Sequence, residues 1–288
     1  MKRILTVFIL LFLAAAPMLA DSPPGGDVLR PKREGPSEFR WYLGLDAGLT
    51  WSNFYNGPAT IFAPNPYFQN HPFWVGTNDI SWVPFDVSSG NGLGFTVAGV
   101  VDLGFTKYFG LVGKLNYHTR AGSFDQTATV NADVYLNGQW TNADISYRDK
   151  HDWRFDFIGF DLLARIQIIP ESWYVLVGPS FSSLSKNTFT YNKSLLGPQG
   201  MYFLEESTLG GLGTPNQRTS MSGTWEAPNL ESTRVDLKIG TGIWIPLTEK
   251  MFLTPELTFA YPMTKLQSEM DYNMFTFFAT VGLRWQMN

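Results

Sequence analysis

The chain has no cysteine, few charges and, beyond its first twenty positions, no long apolar run. The absence of cysteine from 288 residues excludes disulfides, thiolate metal centres and a lipidated cysteine anchor. An exported chain without disulfides must draw its stability from a sizeable core or from the lipid around it. Only 16% of residues are charged and no basic tract occurs, which argues against nucleic acid as a partner. No later stretch approaches the roughly eighteen apolar residues that a membrane-spanning helix needs. The three histidines, His71, His118 and His151, lie too far apart in sequence to form a recognisable local motif.

What is plentiful points elsewhere. Aromatics make up 16% of the chain, and there are 27 glycines. Residues 1–20 read as a secretory signal peptide. Lys2 and Arg3 form a charged start, Ile4 to Ala16 are apolar apart from Thr6, and cleavage follows Ala20 or Ala16. Losing Lys2 and Arg3 from the 21 basic residues leaves 19 against 25 acidic ones, a net of −6. Residues 21–38, rich in Pro, Gly and charge, read as a flexible periplasmic leader.

From residue 39 onward eight segments alternate apolar and polar residues, joined by connections that are in turn long and short. The short ones are tight turns at Thr106–Tyr108, Pro170–Ser172 and Pro246–Lys250. In the first segment Trp41, Leu43, Leu45, Ala47, Leu49 and Trp51 share one face. Period two sustained over about a dozen residues fits a tilted membrane strand better than a strand of a soluble sheet. The same parity puts Asp46, Asp102, Lys114, Asp161, Arg165, Asp236, Lys238, Glu256 and Arg284 on the opposite, lumenal face. Charges so enclosed must pair to avoid a desolvation cost of several kcal/mol each. A turn centred on Leu247–Thr248 predicts Lys238 beside Glu256.

Aromatics gather at both ends of the segments, where amphipathic rings prefer the headgroup level. Trp41, Phe109, Trp173, Phe252 and Trp285 fall at the turn end; Trp51, Tyr117, Phe155, Tyr261 and Phe275 fall at the loop end. Two features break the pattern. Trp153, Phe155 and Phe157 have the opposite parity to Ile158–Ile168, which predicts a bulge near Phe157–Ile158. Pro255 lies mid-strand and predicts a local irregularity, because proline donates nothing to the ladder.

The signal peptide, the eight segments and the C-terminal MFTFFATVGLRW together resemble small eight-stranded outer-membrane barrels. These are the OmpA- and OmpX-like transmembrane domains and the outer-membrane β-barrel families of Bacteroidetes. The match departs at the end, where Gln286 to Asn288 follow Trp285. The resemblance implies an all-β, eight-stranded, antiparallel, up-and-down transmembrane β-barrel over residues 39–288. It implies a bacterial outer-membrane address with both termini periplasmic and the long loops outside. It also implies a monomer in contact with outer-membrane lipid and lipopolysaccharide, inserted by the barrel-assembly machinery.

No chemistry is legible. His118 is followed by Thr119 and Arg120, not by the serine that a lipid-A deacylase-like site wants, and the histidines read as surface residues. Asp125, Asp144, Asp149 and Asp152 lack the spacing of a calcium loop. The sequence therefore predicts no catalytic residue, no cofactor and no metal. The long connections are where recognition is expected. The first, Ser52–Asn91, is crowded with aromatics and prolines and reads as a cap or a binding surface. In the second, Asn137-Gly138 between alternating runs predicts a hairpin that prolongs strands three and four beyond the membrane. The third, Lys186–Glu231, reads as a mobile loop. The expected role is structural or adhesive, with a porin-like channel for ions or small solutes as the alternative. A lipid or peptide hydrolase embedded in the membrane is the third reading.

Overall fold

The computed structural model describes residues 39–55, 90–136, 139–197, 220–225, 230–266 and 273–287. The signal segment, the leader, the first connection beyond Tyr55 (with His71) and the tip Asn137-Gly138 lie outside the described residues.

The described chain is entirely strand and turn. The strands are β1 (Arg40–Tyr55), β2 (Gly90–Gly104), β3 (Phe109–Leu136), β4 (Gln139–Ile169), β5 (Trp173–Gly197), β6 (Ser220–Trp225), β7 (Thr233–Ile243), β8 (Ile245–Pro246), β9 (Met251–Pro262) and β10 (Asn273–Gln286). Eight of them, β1 to β5 with β7, β9 and β10, pair with their neighbours in chain order, all antiparallel. β10 then closes the ring on β1. Closure leaves no strand edge facing lipid, the condition for sheet inside a bilayer. β6 pairs with the far end of β5, and β8 continues the line of β7 along β9.

Side-chain direction follows from the two-residue period. Leu45 and Leu115 are 64% and 65% exposed, whereas Asp46 and Asn116 beside them are buried. The sequence-assigned interface residues Trp41, Trp51, Phe109, Tyr117, Trp173, Tyr261 and Trp285 stand on the outward parity of their strands, partly or fully exposed. Above Tyr117 the outward face turns polar: Ser123, Asp125, Thr127 and Thr129 on β3 oppose Asp152, Lys150, Arg148 and Ser146 on β4. That switch marks the outer edge of the apolar band. β3 and β4 nevertheless stay paired, from Phe109↔Ile166 to Leu136↔Gln139. β3 therefore runs 28 residues, where crossing the membrane takes about 9–11.

Several expectations need correction. The aromatics Trp153, Phe155 and Phe157 point into the barrel, and β4 keeps one parity throughout. The irregularity falls in the β4–β5 pairing, between Asp156↔Lys186 and Phe157↔Leu184, so the extra residue is Ser185 of β5. Phe155 therefore belongs to the interior and not to the loop-end girdle. Phe252 also points inward and packs on Tyr42 and Trp244, with ring centroids 5.9 and 5.2 Å away. Lys186 to Gly197, read as loop, is strand, and β6 pairs with it. The irregularity expected at Pro255 is found on one side only: Pro255 pairs with Val281 of β10, but the pairing with β7 and β8 is broken between Gly242↔Glu256 and Ile245↔Leu253. There the β7 line is interrupted at Trp244, whose backbone N–H donates to the Ser172 carbonyl at 2.7 Å.

Candidate functional site

The lumen is filled in layers. At the turn end Tyr42, Val100, Val112, Leu163, Tyr174, Leu176, Trp244 and Phe252 form one apolar cluster. At the loop end Phe54, Phe124, Trp153, Phe155, Phe157, Phe189, Leu266 and Met274 form another. Between and beside them lie the charges. All nine lumenal residues expected from parity are buried, and the structure sorts them into ionic groups.

The first group is a four-charge ring. Asp46 accepts from Lys114 Nζ at 2.8 Å and from Arg284. Glu256 accepts from Lys114, from Arg284 at 3.5 Å and from the Tyr174 hydroxyl at 2.7 Å. These residues come from β1, β3, β5, β9 and β10, so the ring ties opposite walls together. Two cations and two carboxylates leave it neutral. Towards the turn end Arg165 NH1 donates to Asp102 Oδ2 at 2.5 Å, and its guanidinium lies 5.2 Å from the Trp244 ring. Towards the loop end Lys238 Nζ donates to Asp161 Oδ2 at 2.7 Å, and Ser180 Oγ donates to Asp161 Oδ1 at 2.6 Å.

Lys238 thus pairs with Asp161 and not with Glu256. The reason is register: Lys238 opposes Ala260, and Glu256 opposes Gly242. The turn joining β8 to β9, closed by Leu247 N–H donating to the Met251 carbonyl, centres on Glu249. Centring one to two residues later than Leu247–Thr248 moves the two charges to different levels.

The last group holds two residues missed from the sequence, Arg120 and Arg234. Asp236 accepts from Arg120 NH2 at 2.5 Å and from Arg234 Nε at 2.8 Å. Arg234 NH2 also donates to the Met274 carbonyl. Arg120 Nε donates to His118 Nε2 at 3.1 Å, and His118 Nδ1 sits 2.8 Å from Asn116 Oδ1. Nε2 accepts here, so Nδ1 carries the proton and His118 is neutral. His118 stacks on Phe157 at 5.4 Å and is fully buried. It is a core residue and not the surface histidine expected. His151 is also buried, with Nε2 3.0 Å from Asp149 Oδ1. Among the described residues no group of histidines and carboxylates is arranged to hold a metal.

Arg120 and Arg234 were within reach of the parity rule. Arg120 shares the parity of Lys114, and Arg234 that of Asp236 and Lys238, so both fall on the lumenal side.

A family described as outer membrane protein beta-barrel domain matches residues 39–268. Solved structures of similar shape include Ail, the attachment invasion locus protein of Yersinia pestis. It is 10% identical, with a TM-score of 0.31, over 86% of this chain and 99% of that one. Neisserial surface protein A is 13% identical with a TM-score of 0.35 over 88% and 99%, and Acinetobacter baumannii CarO is 12% identical with 0.32 over 66% and 91%. No curated protein matches the sequence. With the family covering most of its length, the chain belongs to the outer-membrane protein β-barrel family, whose place is the bacterial outer membrane.

Proposed function

We propose that this protein is a surface scaffold: a closed, non-conducting barrel that anchors a protruding sheet and its connections on the outside of the cell. The observation that carries the reading is the filling of the lumen. Two apolar clusters bracket the salt-bridged middle. An ion crossing this lumen would have to displace charges that are already paired, at a desolvation cost of several kcal/mol. An eight-stranded ring has just enough interior for such side chains. Asymmetry supports an orientation: among the described residues one end has only tight turns, and the other carries β3 and β4 well past the apolar band, together with β6. We place the long end outside and both termini in the periplasm, with lipopolysaccharide around a monomeric barrel inserted by the assembly machinery.

The protruding sheet suits recognition because its two faces differ. The outward face carries a polar ladder, with Arg148 on Asp125, Asn131 on Asp144 and Thr129 on Ser146. The inward face buries Phe124, Ile145, Tyr147 and Trp153. No catalytic role is proposed. His118 meets Asn116 and Arg120, neither of which is the serine or carboxylate that nucleophilic catalysis needs.

Adhesion of cells displaying the full chain to a coat of extracellular-matrix protein tests the role. The comparison is a variant in which Gln126 is joined to Asp149 through Asn-Gly. Loss of adhesion with the barrel still folded is expected; unchanged adhesion contradicts a recognition role for the sheet.

A further inference from the structure

The ionic groups of the lumen differ in one respect: their charge balance. Between the levels of Tyr42 and Phe54 the described lumen buries the cations Lys114, Arg120, Arg165, Arg234, Lys238 and Arg284. Against them stand the carboxylates Asp46, Asp102, Asp161, Asp236 and Glu256. Every group is neutral except the last, where Arg120 and Arg234 share the single carboxylate of Asp236 and His118 is neutral. An uncompensated buried charge is costly, because the low-dielectric interior gives it nothing in place of water.

The unpartnered polar atoms at this level are all able to donate. Arg120 NH1, Arg234 NH1, Asn116 Nδ2 and Ser182 Oγ are buried without a hydrogen-bond partner. Asn116, Ser182 and Arg234 lie along one row of the wall, and Arg120 joins Arg234 at Asp236. Ser182 is the register partner of Arg234, and Gly159 stands between Asn116 and Ser182. A Cβ on Gly159 would come within 2.8 Å of Ser182 Oγ and 2.9 Å of Asn116 Oδ1, so the glycine keeps this wall open. By contrast, the unpartnered atoms nearer the turn end include the acceptor Asp102 Oδ1 as well as donors.

We propose that this group is a binding site for one small monovalent anion of the halide class, held by Arg120 and Arg234 with Ser182 and Asn116 donating. The anion supplies the missing negative charge and accepts from the orphaned N–H groups. The two long arginine side chains are the parts that give way to seat it. Phe157 and Phe278, whose rings lie 5.2 and 5.8 Å from the Arg120 guanidinium, crowd the site and favour a compact, weakly hydrated ion. The proposal is independent of the scaffold role.

The test refolds the full chain in detergent with sodium chloride, sodium bromide or sodium gluconate at equal ionic strength. Chloride and bromide are expected to raise the unfolding midpoint by about 3–6 °C over gluconate, saturating with concentration. Crystals grown in bromide should show an anomalous peak beside both NH1 atoms. Ser182→Asp supplies an internal carboxylate, so it should be more stable in gluconate and lose the halide response. If that variant does not fold, Arg120→Gln, which removes the surplus charge, should lose the response instead. Equal midpoints in all three salts, or only water density between the arginines, would overturn the proposal.

Discussion

The turn-end and loop-end halves of the lumen solve the same problem differently. In the turn-end half each carboxylate has enough cations and each cation enough carboxylates. Asp46 and Glu256 between them satisfy Lys114 and Arg284. In the loop-end half one carboxylate, Asp236, serves two arginines. The difference teaches that filling a barrel with charge does not by itself settle the interior: the sign of what remains decides which residues are indispensable. A cation of the balanced ring leaves a surplus negative charge when removed. A cation of the unbalanced group relieves a surplus.

The sharpest way to break this comparison is Arg284→Gln beside Arg120→Gln. The first should cost about 3–5 kcal/mol, since it leaves Lys114 alone against the two buried carboxylates Asp46 and Glu256. The second should cost less than half as much in gluconate, although Arg120 is as deeply buried. Denaturant titration of refolded protein reads both, and equal losses would erase the distinction. Next in size, Tyr174→Phe removes the hydroxyl that donates to Glu256 and should cost about 1.5–3 kcal/mol, typical of a hydrogen bond to a charged group. The smallest effect is expected outside the membrane. Hydrogen bonds from Arg148 hold the exposed Asp125 carboxyl below the usual carboxylate range. A lowered folded-state pKa gives a contribution present above the unfolded pKa and lost as pH falls through the folded one. Pairing of the β3–β4 extension, followed by hydrogen exchange, should therefore loosen only in acid below the normal carboxylate pKa. Asp125→Asn should leave the unfolding midpoint of the barrel unmoved.

The same division governs what the sequence makes legible. In the membrane band the outward residues are nearly all apolar, so Leu43–Leu49 or Phe275–Leu283 declare their parity, and the nine lumenal charges follow. Past Tyr117 the outward face becomes Thr119, Ser123 and Asp125, and the contrast between faces fades. Arg120 escapes notice there for that reason, and Arg234 is lost at the matching rim of β7. Trp153, Phe155 and Phe157 mislead in a related way. An aromatic in a membrane strand suggests the lipid face, yet at this level the apolar face is the inner one, a lid over the lumen. Partners were harder still. Which charge meets which depends on register, and a turn centred at Glu249 in place of Leu247–Thr248 was enough to trade Glu256 for Asp161 beside Lys238.

The central claim is that the barrel is sealed by its own side chains, and planar-bilayer recording of the purified wild-type protein tests it most directly. The account predicts no steady single-channel openings at either polarity, with or without halide. Regular, reproducible conductance steps from the folded monomer would contradict it.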